Sequence, residues 1–217
     1  MPEKTKETFV LYKFLFDVLL DVLIVIVLVI TIRAFFFAPF QIDGPSMCNT
    51  LNIYDEECFN GPGERILTSR LSKWNLFGWR PVSLEAGDII VFKAPYEDKS
   101  YIKRIIGVAG DTIKIENGEV LLKNEEGSFV ELSEPYLNDE NQNNTDLYRS
   151  NSETYLVPEG KYFVLGDNRI RSSDSRRCFR QLGCDGDASP YLDHDLIQGK
   201  AKMVIFPFSH IRLLDKN

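Results

Sequence analysis

A long apolar stretch near the N-terminus constrains this chain most. Asp21 is the only charged residue in the largely apolar segment 18–32, and the apolar character continues past Arg33 to Ala38. The hydrocarbon core of a bilayer is crossed by roughly 20 helical residues. The sequence therefore predicts one N-terminal transmembrane helix over residues 18–38.

Basic residues that precede the predicted helix indicate its orientation. Lys4, Lys6 and Lys13 lie within residues 1–17, and flanking positive charges tend to stay on the cytoplasmic side of a membrane. We therefore expect a single-pass protein of the plasma membrane, in contact with the lipid bilayer. Its N-terminus would be cytoplasmic, and residues 39–217 would form an extracytoplasmic domain.

A cleaved signal peptide is the alternative interpretation of this stretch. Its uninterrupted apolar part, Val22–Ile32, is as short as the apolar region of such a peptide. The aromatic run Phe35–Phe37 follows, however, where a cleavage site requires small residues. The sequence thus favours an anchor that stays attached.

Length and charge limit what the rest of the chain can do. The 217 residues leave enough for one ordinary domain once the anchor is set aside. The formal net charge is −7, so the chain lacks the basic character that binding to phosphate backbones requires. Nucleic acid is therefore not an expected partner.

The pattern beyond residue 39 is typical of β-strands. Residues 89–93 and 101–108 are β-branched runs, and Asn117-Gly118 separates two alternating segments, which is a strong hairpin signal. Residues 123–157 are largely polar and predict an insertion. The expected fold is mainly β, an antiparallel sheet or barrel-like domain over residues 39–217.

Four cysteines are expected to lie outside the cytoplasm, where disulfides persist. Cys178 and Cys184 enclose a short loop and are the predicted pair. Cys48 and Cys58 could remain free. A zinc site is the competing interpretation, but the spacing of Cys48 and Cys58 is wider than such sites use, so no metal or cofactor is expected.

Histidine is the usual base that activates a serine nucleophile, but this chain offers poor candidates. His194 and His210 both occur late, and no Gly-x-Ser-x-Gly motif accompanies them. A lysine can replace histidine when burial lowers its pKa. Lys103 follows Ile102 and precedes a further isoleucine pair, although a surface lysine on a strand remains the alternative.

Ser100 precedes Lys103 by three residues and gives a Ser-x-x-Lys match to penicillin-binding proteins. That motif opens a helix, where residues three apart share a face. On a strand, residues i and i+3 point to opposite faces. The serine partner of Lys103 must therefore come from elsewhere, and Ser46, just beyond the anchor, is the best candidate.

Ordered motifs around Ser46 and Lys103 resemble those of the type I signal peptidases, the bacterial leader peptidase family. The resemblance begins at the end of the anchor, at residues 32–35, and continues just beyond it at residues 39–42. The order of the motifs along the chain is that of the family. The remaining motifs are Gly44–Leu51, Gly87–Phe92, Tyr101–Gly107 with Gly110-Asp111, and Gly166–Arg169 followed by Ser172, Asp174, Ser175 and Arg176.

The resemblance implies a serine endopeptidase with a Ser/Lys dyad. Ser46 matches the nucleophile and Lys103 the general base that is active in its neutral form. Ser172 matches a serine that hydrogen-bonds and orients the lysine, whereas Asp174 and Arg176 match an ion pair that supports the site. No cofactor is implied.

The resemblance also implies the substrates, which are exported preproteins whose signal peptides end in Ala-x-Ala-like sequences. Phe40, Ile42 and Ile102 resemble the walls of the small pockets that accept such ends. Cleavage would remove the N-terminal signal peptide as the preprotein reaches the membrane.

The chain departs from the family pattern next to the nucleophile. Gly44 stands where some members have a serine that helps to bind the oxyanion, and Pro45 has no N–H. The backbone N–H of Ser46 is then the only donor evident in the motif, so a second donor is expected. Cys48-Asn49 also replaces the usual proline before Thr50.

Other functions remain open at this level. The chain could be a dedicated processing peptidase of a conjugation or pilus system, a self-cleaving repressor-like protease, or a membrane-tethered domain that only binds partners. Trp74 and Trp79 could belong to the core or rest in the outer lipid interface.

Overall fold

One long helix precedes a β-domain in this computed structural model, which describes residues 3–55, 57–73, 82–147, 152–180 and 183–214. Trp74 and Trp79 lie outside the described residues. Helix α1 spans Glu3–Phe35, so it begins well before the predicted boundary at residue 18, because residues 3–7 are rich in glutamate and lysine, which are good helix formers.

Helix α1 is apolar and long enough to cross a membrane over Val10–Arg33, and the side chains of that segment are exposed. It ends before the predicted limit at residue 38. Pro39 explains this difference, because a proline disfavours helical geometry in the residue before it. Strand β1 already begins at Phe37.

The domain after α1 is built from short strands. They are β1 Phe37–Asp43, β2 Ile53–Tyr54, β3 Glu57–Cys58, β4 Pro62–Ser69, β5 Ile89–Lys93, β6 Ser100–Gly107, β7 Thr112–Glu116, β8 Glu119–Lys123, β9 Phe129–Glu131, β10 Ser152–Leu156, β11 Lys161–Leu165, β12 Leu192–Asp193, β13 Ile197–Phe206 and β14 Arg212–Leu213.

The main sheet has the strand order β1-β4-β13-β5-β6-β11-β12, and β14 pairs with β13. From β4 to β12, and between β13 and β14, the paired strands are antiparallel. Beyond α1, the described part of the chain contains only short 3-10 turns as helical structure. The predicted fold class, mainly antiparallel β with one N-terminal helix, is confirmed.

Apolar clusters cover both faces of the main sheet. Along β5, Ile89 and Val91 pack in one cluster and Ile90 and Phe92 in another, as expected when successive side chains point to opposite faces. Strand β6, which follows it in the sheet, lies at the centre of this sandwich-like packing. The charged residues of β6, Lys103 and Arg104, are therefore buried at 3% and 1% exposure.

A smaller sheet, ordered β10-β7-β8-β9, carries the predicted insertion. Its β7–β8 hairpin turns at Asn117-Gly118, where φ is 52° and 86°, and glycine tolerates such values better than other residues. The polar insertion predicted around 123–157 is thus not entirely loop. Its two ends form β9 and β10, which pair with β8 and β7.

Two disulfides bridge the four cysteines. One joins Cys178 to Cys184, with a Cα–Cα distance of 5.0 Å, which is the pair that the sequence selected. The other joins Cys48 to Cys58, at 5.6 Å, although the sequence left these two as possibly free. The β2–β3 hairpin brings them together, a contact that their spacing alone did not indicate.

The pairing predicts the thiol content of the protein. We expect no reactive thiol in the unfolded, non-reduced chain and four after reduction, measured with a thiol reagent in denaturant. Peptide mapping should then recover the Cys48–Cys58 and Cys178–Cys184 links. Two free thiols before reduction would show that one of the bridges does not form.

Candidate active site

The loop that follows β1 presents Ser46. Gly44 turns the chain with φ of +89°, a conformation that favours glycine. The backbone N–H groups of Cys48 and Leu51 then donate to the carbonyls of Pro45 and Met47, both at 2.9 Å. Because Ile42 before the serine and Met47 and Leu51 after it are buried in one apolar cluster, the loop is fixed on both sides of Ser46.

Lys103 reaches this serine from strand β6. Its side chain is buried, and its residue is only 3% exposed. Lys103 Nζ lies 2.8 Å from Ser46 Oγ and also donates to the Ile102 carbonyl at 2.7 Å. The two residues singled out by the sequence are therefore within hydrogen-bonding distance.

Burial changes the chemistry of Lys103. It lowers the pKa of the ammonium from 10.5 to about 8, although Asp174 and Asp167 oppose this change by favouring the charged form. Arg176 acts in the same direction as burial. A lysine with such a pKa is partly neutral near physiological pH and can accept a proton from a hydroxyl.

The loop after β11 holds the serine loop through the backbone. The Asn168 N–H donates to the Ser46 carbonyl at 3.1 Å. Gly166 approaches so closely that a Cβ atom at this position would collide with the Ser46 carbonyl and the Ser172 hydroxyl. The glycine of the Gly-Asp-Asn-Arg motif is thus required by a close contact beside the nucleophile.

Asp174 and Arg176 form a buried ion pair. The Arg176 guanidinium donates to both carboxylate oxygens, at 2.9 Å and 2.8 Å, and the Gly166 N–H donates at 3.1 Å. Burial alone would raise the pKa of Asp174, but Arg176, the Gly166 amide and the nearby Ser172 hydroxyl together hold it below its usual value. The pair therefore remains charged and fixes Gly166.

Ser172 differs from the expectation that it hydrogen-bonds Lys103. The contacts of Lys103 Nζ that the structure records go to Ser46 and to the Ile102 carbonyl of its own strand. The Ser172 hydroxyl is buried next to Asp174, without a partner of good geometry among the described residues. Its orienting role stays a prediction.

Arg104 and Asp167 form a second buried ion pair, which the sequence analysis did not select. Arg104 donates to the two Asp167 oxygens at 3.0 Å and 2.7 Å. The Thr50 hydroxyl donates to the same carboxylate at 2.5 Å, and the Asn49 amide to the Asp167 carbonyl at 3.2 Å. This pair connects the strand of the lysine to the loop of the serine.

A cleft of about 260 Å³ contains both candidate catalytic residues. Phe40, Ile42 and Ile102 line it, together with Ser46 and Lys103, so the predicted pocket residues lie beside the nucleophile. A larger cavity of about 430 Å³ lies at the insertion and is lined mostly by polar residues. This larger cavity is lined by neither Ser46 nor Lys103.

A further serine occurs in the cleft that contains Ser46 and Lys103. Ser173 lines it, and the Ser173 hydroxyl lacks a hydrogen-bond partner within the described residues. Gly44 and Pro45 supply no side-chain donor, as the sequence indicates. The need for a second donor stays a prediction.

The recorded contacts of the two histidines are to residues other than Ser46. His210 Nδ1 lies 3.1 Å from Glu64, and its ring packs against Tyr54 at 4.8 Å. His194 Nδ1 lies 3.1 Å from the Tyr162 hydroxyl. The geometry therefore offers a lysine, not a histidine, as the base near the serine.

Comparison with known proteins identifies the family of this chain. The family model described as signal peptidase, peptidase S26, matches residues 15–206. Signal peptidase I U of Bacillus subtilis (strain 168) is 34% identical over 184 residues, which cover 84% of this chain and 82% of the relative. Signal peptidase IB of Staphylococcus aureus is 31% identical over 192 residues, covering 83% and 84%.

A solved structure is also similar in sequence. The signal peptidase I of Enterococcus faecalis V583 is 30% identical, with a TM-score of 0.40, and the match covers 55% of this chain and 97% of that one. The family model and the two curated relatives each span most of the chain. The chain therefore belongs to the signal peptidase family, peptidase S26, and is a serine endopeptidase.

Proposed function

We propose that this protein is a membrane-anchored signal peptidase that removes signal peptides from exported preproteins with a Ser46/Lys103 dyad. The single observation that carries the proposal is the 2.8 Å contact between Ser46 Oγ and the buried Lys103 Nζ. Family membership supports the substrate class, and it opposes a function in binding alone.

The dyad would work through an acyl-enzyme. Neutral Lys103 takes the proton of Ser46 Oγ while Oγ attacks the scissile carbonyl carbon, and the Ser46 N–H donates to the developing oxyanion. The lysine then gives this proton to the leaving nitrogen as the C–N bond breaks. A water molecule, deprotonated by Lys103, finally attacks the ester carbonyl carbon; as the bond to Ser46 Oγ breaks, Lys103 returns the proton to Oγ and the signal peptide is released.

The cleft would select small side chains before the scissile bond. Phe40, Ile42 and Ile102 form apolar walls close to Ser46 within a limited volume. Alanine fits such a space, whereas a larger residue would displace buried core atoms, because Ile42 and Ile102 also pack in the domain core. This supports preproteins with Ala-x-Ala-like ends as substrates.

Exposed apolar groups support the lipid bilayer as a partner. Apart from the helix, Phe208 and Leu213 are 79% and 68% exposed, and Phe206 and Ile211 nearby are exposed as well. Such a patch is uncommon on a free surface. Because Lys4, Lys6 and Lys13 lie in the N-terminal part of helix α1, we place the N-terminus in the cytoplasm and the β-domain outside, at the plasma membrane.

Substitution of either dyad residue tests the proposal. With purified protein in detergent and a radiolabelled preprotein, Ser46→Ala and Lys103→Ala should each lower kcat/KM by at least about 10²-fold, since nucleophile or base is lost. A wild type that cuts no preprotein, or variants that still cut it, would defeat the proposal.

Matched controls separate chemistry from folding. Lys114→Ala removes another strand lysine, on β7, whose partner is Glu116 at 2.7 Å. Ser128→Ala removes a hydroxyl at an exposed turn. Both should keep wild-type activity, and circular dichroism should show that the dyad variants remain folded.

The pH dependence of cleavage should report the pKa of Lys103. The neutral base is the active form, so kcat/KM should rise with pH and level off above an apparent pKa of about 8. At pH 7 the rate should be about a tenth of the plateau. An apparent pKa of about 6.5 in the pH profile of kcat/KM would instead indicate a histidine base.

Burial of Lys103 should also reduce stability. The pKa of Lys103 is about 8 in the folded protein, below the ordinary 10.5, so the unfolded chain binds the proton more tightly. The resulting decrease in the free energy of unfolding is therefore fully present below pH 8. The difference corresponds to an upper limit of about 3 kcal/mol. In thermal unfolding, Lys103→Met should be more stable than the wild type at pH 7, and this gain should shrink between pH 8 and 10.5.

The same substitution at Lys114 provides the control. Lys114 is partly exposed and forms an ion pair, so Lys114→Met should not raise the melting temperature at pH 7. A loss of stability in Lys103→Met at pH 7 would mean that this lysine serves the fold.

A further inference from the structure

The polar insertion reaches the active-site loop through Arg169. The Arg169 guanidinium pairs with the carboxylate of Glu134 and donates to the Thr145 hydroxyl at 2.6 Å. Its Nε also donates to the Gly166 carbonyl at 3.2 Å. The insertion is therefore bonded to the glycine that lies against the Ser46 carbonyl.

Tyr136, from the same insertion, covers the other buried pair. Its ring centroid lies 3.8 Å from Arg104 Cζ, a cation–π distance. The Tyr136 hydroxyl donates to Glu134 at 2.6 Å, so the carboxylate that binds Arg169 also fixes the orientation of the ring. One tyrosine and one glutamate thereby engage both arginines.

Arg104 connects the two parts of the dyad, because it is the neighbour of Lys103 on β6 and contacts the serine loop. It follows Lys103 directly on β6, and its guanidinium binds Asp167 and contacts the Thr50 hydroxyl of the serine loop at 3.3 Å. Arg104 is 1% exposed. The Tyr136 ring therefore shields an ion pair that links the base to the nucleophile.

We propose that Tyr136, oriented by Glu134, is a positioning residue for the reaction. It keeps water away from the Arg104–Asp167 pair and thereby maintains the buried contact between Lys103 and Ser46. This inference rests on the proposed function of the dyad. It gives the insertion a role in catalysis without contact to the substrate.

The charges around Lys103 give the direction of the effect. Asp167 and Asp174 favour its charged form, Arg176 opposes it, and the Tyr101 ring lies 5.3 Å from Nζ. Without the Tyr136 ring, water reaches the Arg104–Asp167 pair and Arg104 loosens from the carboxylate. Both changes raise the pKa of Lys103, because burial is reduced and Asp167 is less compensated.

The experiment compares full-length variants over a pH range. Tyr136→Met fills similar space without a ring face, and it should lower kcat/KM by about tenfold at pH 7 and by less than about twofold at pH 10. Tyr136→Phe keeps the ring but loses the bond to Glu134, and it should show a smaller shift of the same sign. Recovery at high pH is a result that a merely structural role would not produce.

Tyr162→Met is the control, because Tyr162 is a buried tyrosine in an apolar cluster that contains neither Tyr136 nor Arg104. Its pH profile should be that of the wild type. A wild-type profile for Tyr136→Met, or an equal loss at every pH, would overturn the inference. If Tyr136→Met does not fold, the Phe variant decides in the same way. A wild type without activity would instead refute the dyad itself.

Discussion

The contact between the buried Lys103 ammonium and Ser46 is the interaction on which the rest of the site depends. A lysine in the centre of a sheet is unfavourable when charged, and this is what brings its pKa to about 8. The contact persists only if strand β6 and the serine loop are both fixed. The neighbouring motifs supply that constraint, and Gly166 permits the close approach of the two loops.

Two buried arginine–carboxylate pairs provide most of this rigidity. Arg176–Asp174 holds Gly166, whereas Arg104–Asp167 joins β6 to Thr50. Buried pairs are weak evidence for stability, but removal of one partner is strongly destabilising because it leaves an uncompensated buried charge. The two pairs therefore surround a lysine whose neutral form is accessible. The burial of this lysine reduces the stability of the folded protein.

Local patterns in the sequence predicted a good part of this structure. The apolar run indicated the helix, β-branched runs indicated β5 and β6, and strand alternation excluded Ser100, whose hydroxyl bonds Gln198 instead. Long-range pairings were not accessible in this way. The Cys48–Cys58 bridge depends on the short β2–β3 hairpin. The Arg104–Asp167 pair joins side chains that are 63 positions apart. No local spacing in the sequence reveals either contact.

Direct titration of Lys103 in the folded protein tests the central claim. With 13C-labelled lysine, the NMR signal of Lys103 Cε, assigned by its loss in Lys103→Met, should titrate with a pKa of about 8. The signals of exposed lysines serve as the internal reference. A pKa near 10.5 for Lys103 would contradict the account, since the lysine would then be charged at the pH at which it must act as a base.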